Sequence, residues 1–160
     1  MEGRPVRDSV AEYSEIALPT DANTHGNMLG GRIMHLADLA GALAAMRHSR
    51  SPVVTASIDS MNFLCPVRIG HLVTLRASVN RVFRSSMEVG VKVWVEDLIT
   101  GAKQHTSSAY LTFVALDAGG RPVPVTPVIP ETPDDTRRYQ AAGERRAYRL
   151  EMRDKSRRRG

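Results

Sequence analysis

Between Asp21 and Ala45 the chain reads DANTHGNMLGGRIMHLADLAGALAA, and glycine, aspartate and asparagine in it have chemistry open to them. Gly30 and Gly31 open a segment with helical spacing of apolar residues. The start of a helix leaves backbone N–H groups unpaired and carries a partial positive charge. Two glycines leave those amides uncovered, so a carbonyl oxygen gaining negative charge in a transition state could rest on them. Close packing of backbone on backbone is the competing reading of the same pair. Asp38 is the one carboxylate of that segment, set among Leu and Ala, and could act as a general base or a nucleophile. Asn23 sits in a loop rich in turn-forming residues, where turn formation is its ordinary use.

Other reactive types are sparser. His25 is a rival base, since imidazole titrates near neutral pH. Arg32, His35 and Asp38 recur at intervals of three, which puts them along one stripe of a helix. Cys65 stands alone, which excludes an internal disulfide and fits a reducing compartment. Its apolar setting, NFLCPV, suits an inert thiol better than a nucleophile. The five histidines are scattered, with no metal-ligand cluster, and no Gly-Lys-Ser phosphate loop occurs.

The elements that must position these groups follow from periodicity. AEYSEIAL is a first strand, PTDANTHGN a loop, and Met28 to His48 a helix. That helix is apolar almost all round, so it must be enclosed; its small residues let strands approach closely. Alternation in LVTLRASVNRV and MEVGVKVWVE gives two strands joined by a hairpin at FRSS. VVTASIDSMNFL is a strand whose apolar phase slips, as an extra residue near Asp59 or Ser60 would cause. QHTSSAYLTFVAL is a fourth strand of this group. TPDD opens a last helix, with Thr132 as cap, Pro133 in its first turn and two acids at the positive end of its dipole. The expectation is an α+β fold: one antiparallel sheet curled around one long helix, with a peripheral C-terminal helix. Residues 1–10 read as a flexible N-terminus, 11–130 as the domain, and 131–160 as the helix and a basic tail.

The chain has 160 residues and a net charge of +5. Residues 144–160 hold eight Lys or Arg against three acids, so the tail carries the whole excess and the body is formally neutral. That distribution argues against a nucleic-acid surface, and no interleaved aromatic residues support one. No apolar run reaches the roughly 18 residues of a membrane span. A polar start without an apolar core points to a cytoplasmic protein.

The segments LPTDANTHGNMLGGRIMHLADLAGALAA, VVTASIDSMNFLCPVRIGH and SSMEVGVKVWVED, with the ending LDAGGRPVPV, resemble the hotdog-fold acyl-CoA thioesterases. The likeness is to bacterial acyl-CoA thioester hydrolases and to the second domain of the brain-type acyl-CoA hydrolase, and it runs from about Tyr13 to Arg153. It implies hydrolysis of fatty acyl-CoA to a free acid and coenzyme A. Asp38 is then catalytic, with Asn23 binding the attacking water or the carbonyl and Gly31 supplying an oxyanion amide. Gly30, Asn62, Arg84, Ser85 and Ser86 are then substrate-binding, the last three at a hairpin tip suited to an anion or an amide. No metal and no cofactor is implied beyond the coenzyme A of the substrate. Two subunits would pair edge to edge with sites between them, and dimers would gather as a trimer. A hotdog dehydratase using His25 or His35 with an acid is one alternative. A non-enzymatic acyl-CoA sensor or nucleic-acid binder acting through Arg157 to Arg159 is another.

Overall fold

The computed structural model describes residues 1–160. In chain order its elements are β1 (Arg4–Pro5), β2 (Ala11–Ile16), α1 (Gly30–Ser49), β3 (Val53–Ile58), β4 (Leu72–Val82), β5 (Ser86–Glu96), β6 (Lys103–Ala115), β7 (Val128–Ile129) and α2 (Pro133–Arg159). Single 3-10 turns lie at Val6–Ser9 and Pro19–Asp21. Five strands form one antiparallel sheet in the order β2-β4-β5-β6-β3. β1 and β7 make a small parallel pair.

Alternation decides which side of the sheet meets α1. Val73, Leu75, Ala77 and Val79 of β4 are buried with Met87, Val89, Val91 and Val93 of β5 and Ala109, Leu111 and Phe113 of β6. They pack with Ile33, Leu36, Ala37, Ala40, Ala44 and Ala45 of α1 in one core. The small residues on this face let the helix settle deep in the curl. Gly41 is the extreme case: a Cβ there would stand 3.0 Å from the Phe113 ring, so packing alone accounts for that glycine.

The sheet wraps only one side of α1. Leu39, Leu43 and Met46, at spacings of four and three, remain 51%, 43% and 39% exposed. Five strands do not close into a barrel, so the expected enclosure of α1 is incomplete within the protomer. Val54 and Ile58 on the edge strand β3 are exposed as well. An unpaired edge beside an apolar stripe is a surface that proteins normally cover.

Three local expectations are corrected. The register slip in β3 falls between Thr55 and Ser57, before the expected position at Asp59 or Ser60, and the strand ends at Ile58. Asn62 and Cys65 therefore lie in the following loop, and Cys65 is half-buried against the core edge rather than sealed inside it. The first ten residues are packed: β1 pairs with β7, Val6 and Ser9 are buried, and the Ser9 hydroxyl accepts from the amide of Val79 at 2.9 Å.

The C-terminal helix begins as its residues dictate. Thr132 accepts from the amide of Asp135, Asp135 accepts from the amide of Thr132, and Pro133 stands in the first turn. Its middle lies on the outer face of the sheet. There Glu88, fully buried, accepts from Asn80 at 3.0 Å and from both Nε and Nη2 of Arg145 at 2.8 and 2.9 Å. A buried carboxylate is tolerable only with such pairing. That hydrogen bonding raises the Arg145 pKa above its ordinary value. The basic tail is not a separate segment, because the helix runs to Arg159 with every residue from Glu151 onward exposed.

Candidate active site

The loop before α1 is built by its own polar side chains. The Asn23 side-chain oxygen accepts from the amides of His25 and Asn27 at 2.8 and 3.2 Å, and Gly26 takes φ +77° at the turn. These two bonds use the carbonyl half of the amide and leave its NH2 free to donate elsewhere. Asp21 caps the amide of Leu18 and pairs with Arg32 at 3.4 Å, while Arg32 also meets Glu15 of β2 at 3.1 Å. Arg32 thus ties the loop and the first helical turn to the sheet. Its expected stripe-mates stay apart: His35 is exposed, and His25 is exposed in the loop. Neither ring pairs with a carboxylate.

Helix α1 begins at Gly30, and its first two amides receive no carbonyl. The intramolecular bonds start with Arg32 and Ile33, which both donate to Leu29. The two glycines differ in surroundings. A Cβ at Gly30 would lie 3.3 Å from the Phe63 ring, whereas one at Gly31 would meet nothing within 4 Å. Packing therefore accounts for Gly30 and does not account for Gly31. The amide end of α1 is an uncovered donor pair beside an aromatic ring.

Asp38 is half-buried, and its Oδ1 accepts from the Thr55 hydroxyl at 2.6 Å. Thr55 sits at the β3 irregularity, where the register shift alters which way side chains point. Sequence reasoning missed this residue, although the phase slip in β3 marked its neighbourhood. At 1.5 Å per residue, Asp38 lies about 10 Å along the helix from Gly31. Carbon and oxygen of a carbonyl are about 1.2 Å apart. One carbonyl therefore cannot touch the Gly31 amide and the Asp38 carboxylate of the same helix.

The remaining candidates are distributed over other regions. Asn62 is exposed in the loop after β3, facing a groove it shares with His105, Tyr110, Arg145 and Arg149. Arg84, Ser85 and Ser86 form the β4–β5 hairpin at the far end of the sheet. There the Arg84 carbonyl accepts from Val125, next to Thr126, whose carbonyl receives His48 from the last turn of α1. The hairpin therefore stands at the C-terminal end of α1, while Gly31 opens the other end. Ser86 is also engaged, accepting from Arg146 at 3.3 Å. No group of three or more His, Cys, Asp or Glu is placed to hold a metal ion.

Comparison with known proteins bears on the family and the fold. The sequence profile of the thioesterase superfamily matches residues 25–102, from His25 near the end of the loop through α1 and strands β3 to β5. The uncharacterized acyl-CoA thioester hydrolase YkhA of Bacillus subtilis is 40% identical over 144 residues, 90% of this chain and 84% of that protein. A hexameric acyl-CoA thioesterase solved without ligand superposes with a TM-score of 0.92 at 38% identity, covering 95% of this chain and 97% of the other. The acyl-CoA hydrolase of Staphylococcus aureus, solved with butyryl coenzyme A and coenzyme A, gives a TM-score of 0.90 at 35% identity over 97% and 94% of the two chains. With the curled sheet, the central helix and these likenesses together, the chain belongs to the thioesterase superfamily, among its hotdog-fold acyl-CoA hydrolases.

Proposed function

We propose that this chain hydrolyses fatty acyl-CoA to a free carboxylic acid and coenzyme A, in sites formed between two copies of the chain. The observation that carries the reading is the pairing, on one helix, of uncovered amides at Gly30 and Gly31 with a carboxylate oriented by Thr55. In each site the thioester oxygen rests on the Gly31 amide of one subunit, and Asp38 comes from a second copy. Asn23, its carbonyl spent on the loop, turns its NH2 group toward the thioester carbonyl or the attacking water.

The reaction needs no group beyond these and water. Asp38 takes a proton as water adds to the thioester carbon, or adds to that carbon itself. In either case charge builds on the oxygen that faces the helix amides, which stabilise it more than they stabilise the neutral ester. The carbon–sulfur bond then breaks, and the thiolate of coenzyme A leaves and takes up a proton. If Asp38 is the nucleophile, water afterwards cleaves the acyl–Asp anhydride.

Two features support the paired assembly. The stripe of Leu39, Leu43 and Met46 and the edge strand β3 are exposed together on one side of the protomer, and a two-fold contact there covers both. The far placement of Arg84, Ser85 and Ser86 suits a substrate that is long enough to reach a neighbouring subunit. We place these three, with Gly30 and Asn62, as contacts to the coenzyme A portion. A trimer of such dimers and a cytoplasmic location belong to the same proposal; the free thiol of Cys65 is compatible with a reducing compartment.

The test is thiol release from a series of acyl-CoA lengths by wild type and Asp38→Asn. Hydrolysis by wild type and its loss in a folded Asp38→Asn protein support the proposal. Undiminished hydrolysis by that variant rejects the role of Asp38. An enoyl product without thiol release would favour the dehydratase reading.

A further inference from the structure

The C-terminal helix reaches the active region through one ion pair. Arg149 Nη1 donates to Asp59 Oδ2 at 3.0 Å, and both side chains are about one-quarter exposed. Asp59 is the first residue after β3, and its amide donates to the Tyr110 carbonyl at 2.9 Å. The loop it opens is fastened again at its far end. There Leu64 donates to the Thr106 carbonyl at 2.7 Å, and the Thr106 hydroxyl donates to the Cys65 carbonyl at 2.5 Å. Between these ends lie Asn62 and Phe63, and Phe63 is the ring set against Gly30.

Arg149 is itself held in place. Arg145, one turn earlier, is locked on buried Glu88, and its guanidinium stacks 3.6 Å over the Tyr110 ring. Arg149 lies 3.8 Å from the same Glu88. Glu88, fixed by Asn80, thus anchors α2 to the sheet, and Arg149 is the arm that extends from this anchor to the loop. Charged hydrogen bonds at partly buried positions are the stronger kind.

We propose that Arg149 is a positioning residue for thioester binding: by holding Asp59 it fixes the loop of residues 59–65, and with it the Phe63 ring beside the amide end of α1. The helix would then contribute to substrate binding without touching the reacting atoms. The inference rests on the reading that acyl-CoA binds at that end of α1.

Steady-state hydrolysis by Arg149→Ala, Arg149→Lys and Asp59→Ala, beside Asp38→Asn, tests it. A loosened clamp raises KM about tenfold in Arg149→Ala with kcat nearly kept, because binding common to ground and transition states is what is lost. Asp59→Ala, which frees the same loop, raises KM alike, and Arg149→Lys recovers much of the KM lost in Arg149→Ala. A helix that merely supports the fold gives instead a lower melting temperature and a lower kcat at unchanged KM, and that result overturns the proposal. So does an unchanged KM and kcat in Arg149→Ala. Full activity in Asp38→Asn would count against the proposed mechanism and leave the Arg149 measurement to be read by itself.

Discussion

The hydroxyl of Thr55 and the carboxylate of Asp38 lie 2.6 Å apart, joining edge strand β3 to the middle of helix α1. Asp38 is the only acid on that helix, so one side chain from the strand decides where its charge points. The remaining carboxylate oxygen is left for water or substrate.

Removing that hydroxyl should therefore misplace the base without unfolding the protein. Thr55→Val is expected to lower kcat about tenfold, the worth of one charge-assisted hydrogen bond. Thr55→Ser should keep most of the rate. Because Thr55 lies on the edge strand that the proposed dimer covers, melting temperature and oligomeric state are measured beside kcat, and a fall in kcat with both unchanged assigns the effect to the lost hydroxyl. Equal kcat in Thr55→Val and wild type would remove Thr55 from the mechanism.

Asn23 divides its amide between two tasks, and substitution can separate them. Asn23→Asp keeps an acceptor for the His25 and Asn27 amides but loses the NH2 donor. It should fold like wild type and lose activity. Asn23→Ala should lose activity and also loosen the loop, seen as faster amide exchange at His25 and Asn27 by NMR. Full activity in Asn23→Asp would leave Asn23 as a turn-former only.

The two glycines at the head of α1 should respond differently. Gly31→Ala has open space for its methyl group and should raise stability by about 0.5–1 kcal/mol, the ordinary gain of alanine over glycine in a helix. The same methyl crowds the amide, so hydrolysis should fall. Gly30→Ala must displace the Phe63 ring and should lose stability as well as activity. Thermal melts beside thiol-release rates separate these outcomes.

These contrasts also indicate how far the sequence could be read. Helix α1, strands β4 to β6 and the capped start of α2 follow from periodicity and cap chemistry, because those signals are local. The position of Thr55 is not local. It depends on where β3 slips against β6, and apolar phase located that slip only to within a few residues. The distance between Asp38 and Gly31 was implicit in the helix from the start, since rise per residue fixes it. The ion pair of Arg149 with Asp59 joins residues 90 apart in sequence, and nothing in either neighbourhood announces it. The open stripe on α1 is not legible either, because an all-round apolar helix does not state which strands cover it.

His48 gives the fold a pH dependence. It is fully buried at the last turn of α1; Nε2 donates to the Thr126 carbonyl at 2.7 Å, and Nδ1 has no partner. Burial lowers its pKa below the ordinary value of 6.5, against the opposing pull of that carbonyl. The unfolded chain therefore takes up the proton first as pH falls. Stability is held above pH about 6.5 and is lost as pH drops through the folded-state value. Melting temperature should fall between pH about 7.5 and 5.5 in wild type and fall less in His48→Gln, which keeps a donor for Thr126. Parallel curves for the two proteins would contradict this account of His48.

The central claim is that each site joins the amide end of one α1 to Asp38 of another copy, and subunit mixing tests it most directly. Asp38→Asn and Asn23→Asp proteins, each inactive alone, would be co-expressed with different tags and purified through both. In a hybrid dimer one of the two sites keeps Asp38 from one copy and Asn23 from the other, so hydrolysis should return, toward about half of the wild-type rate per hybrid dimer. If both groups act within a single subunit, every site in the hybrid carries one defect and no activity returns, and that result would contradict the account.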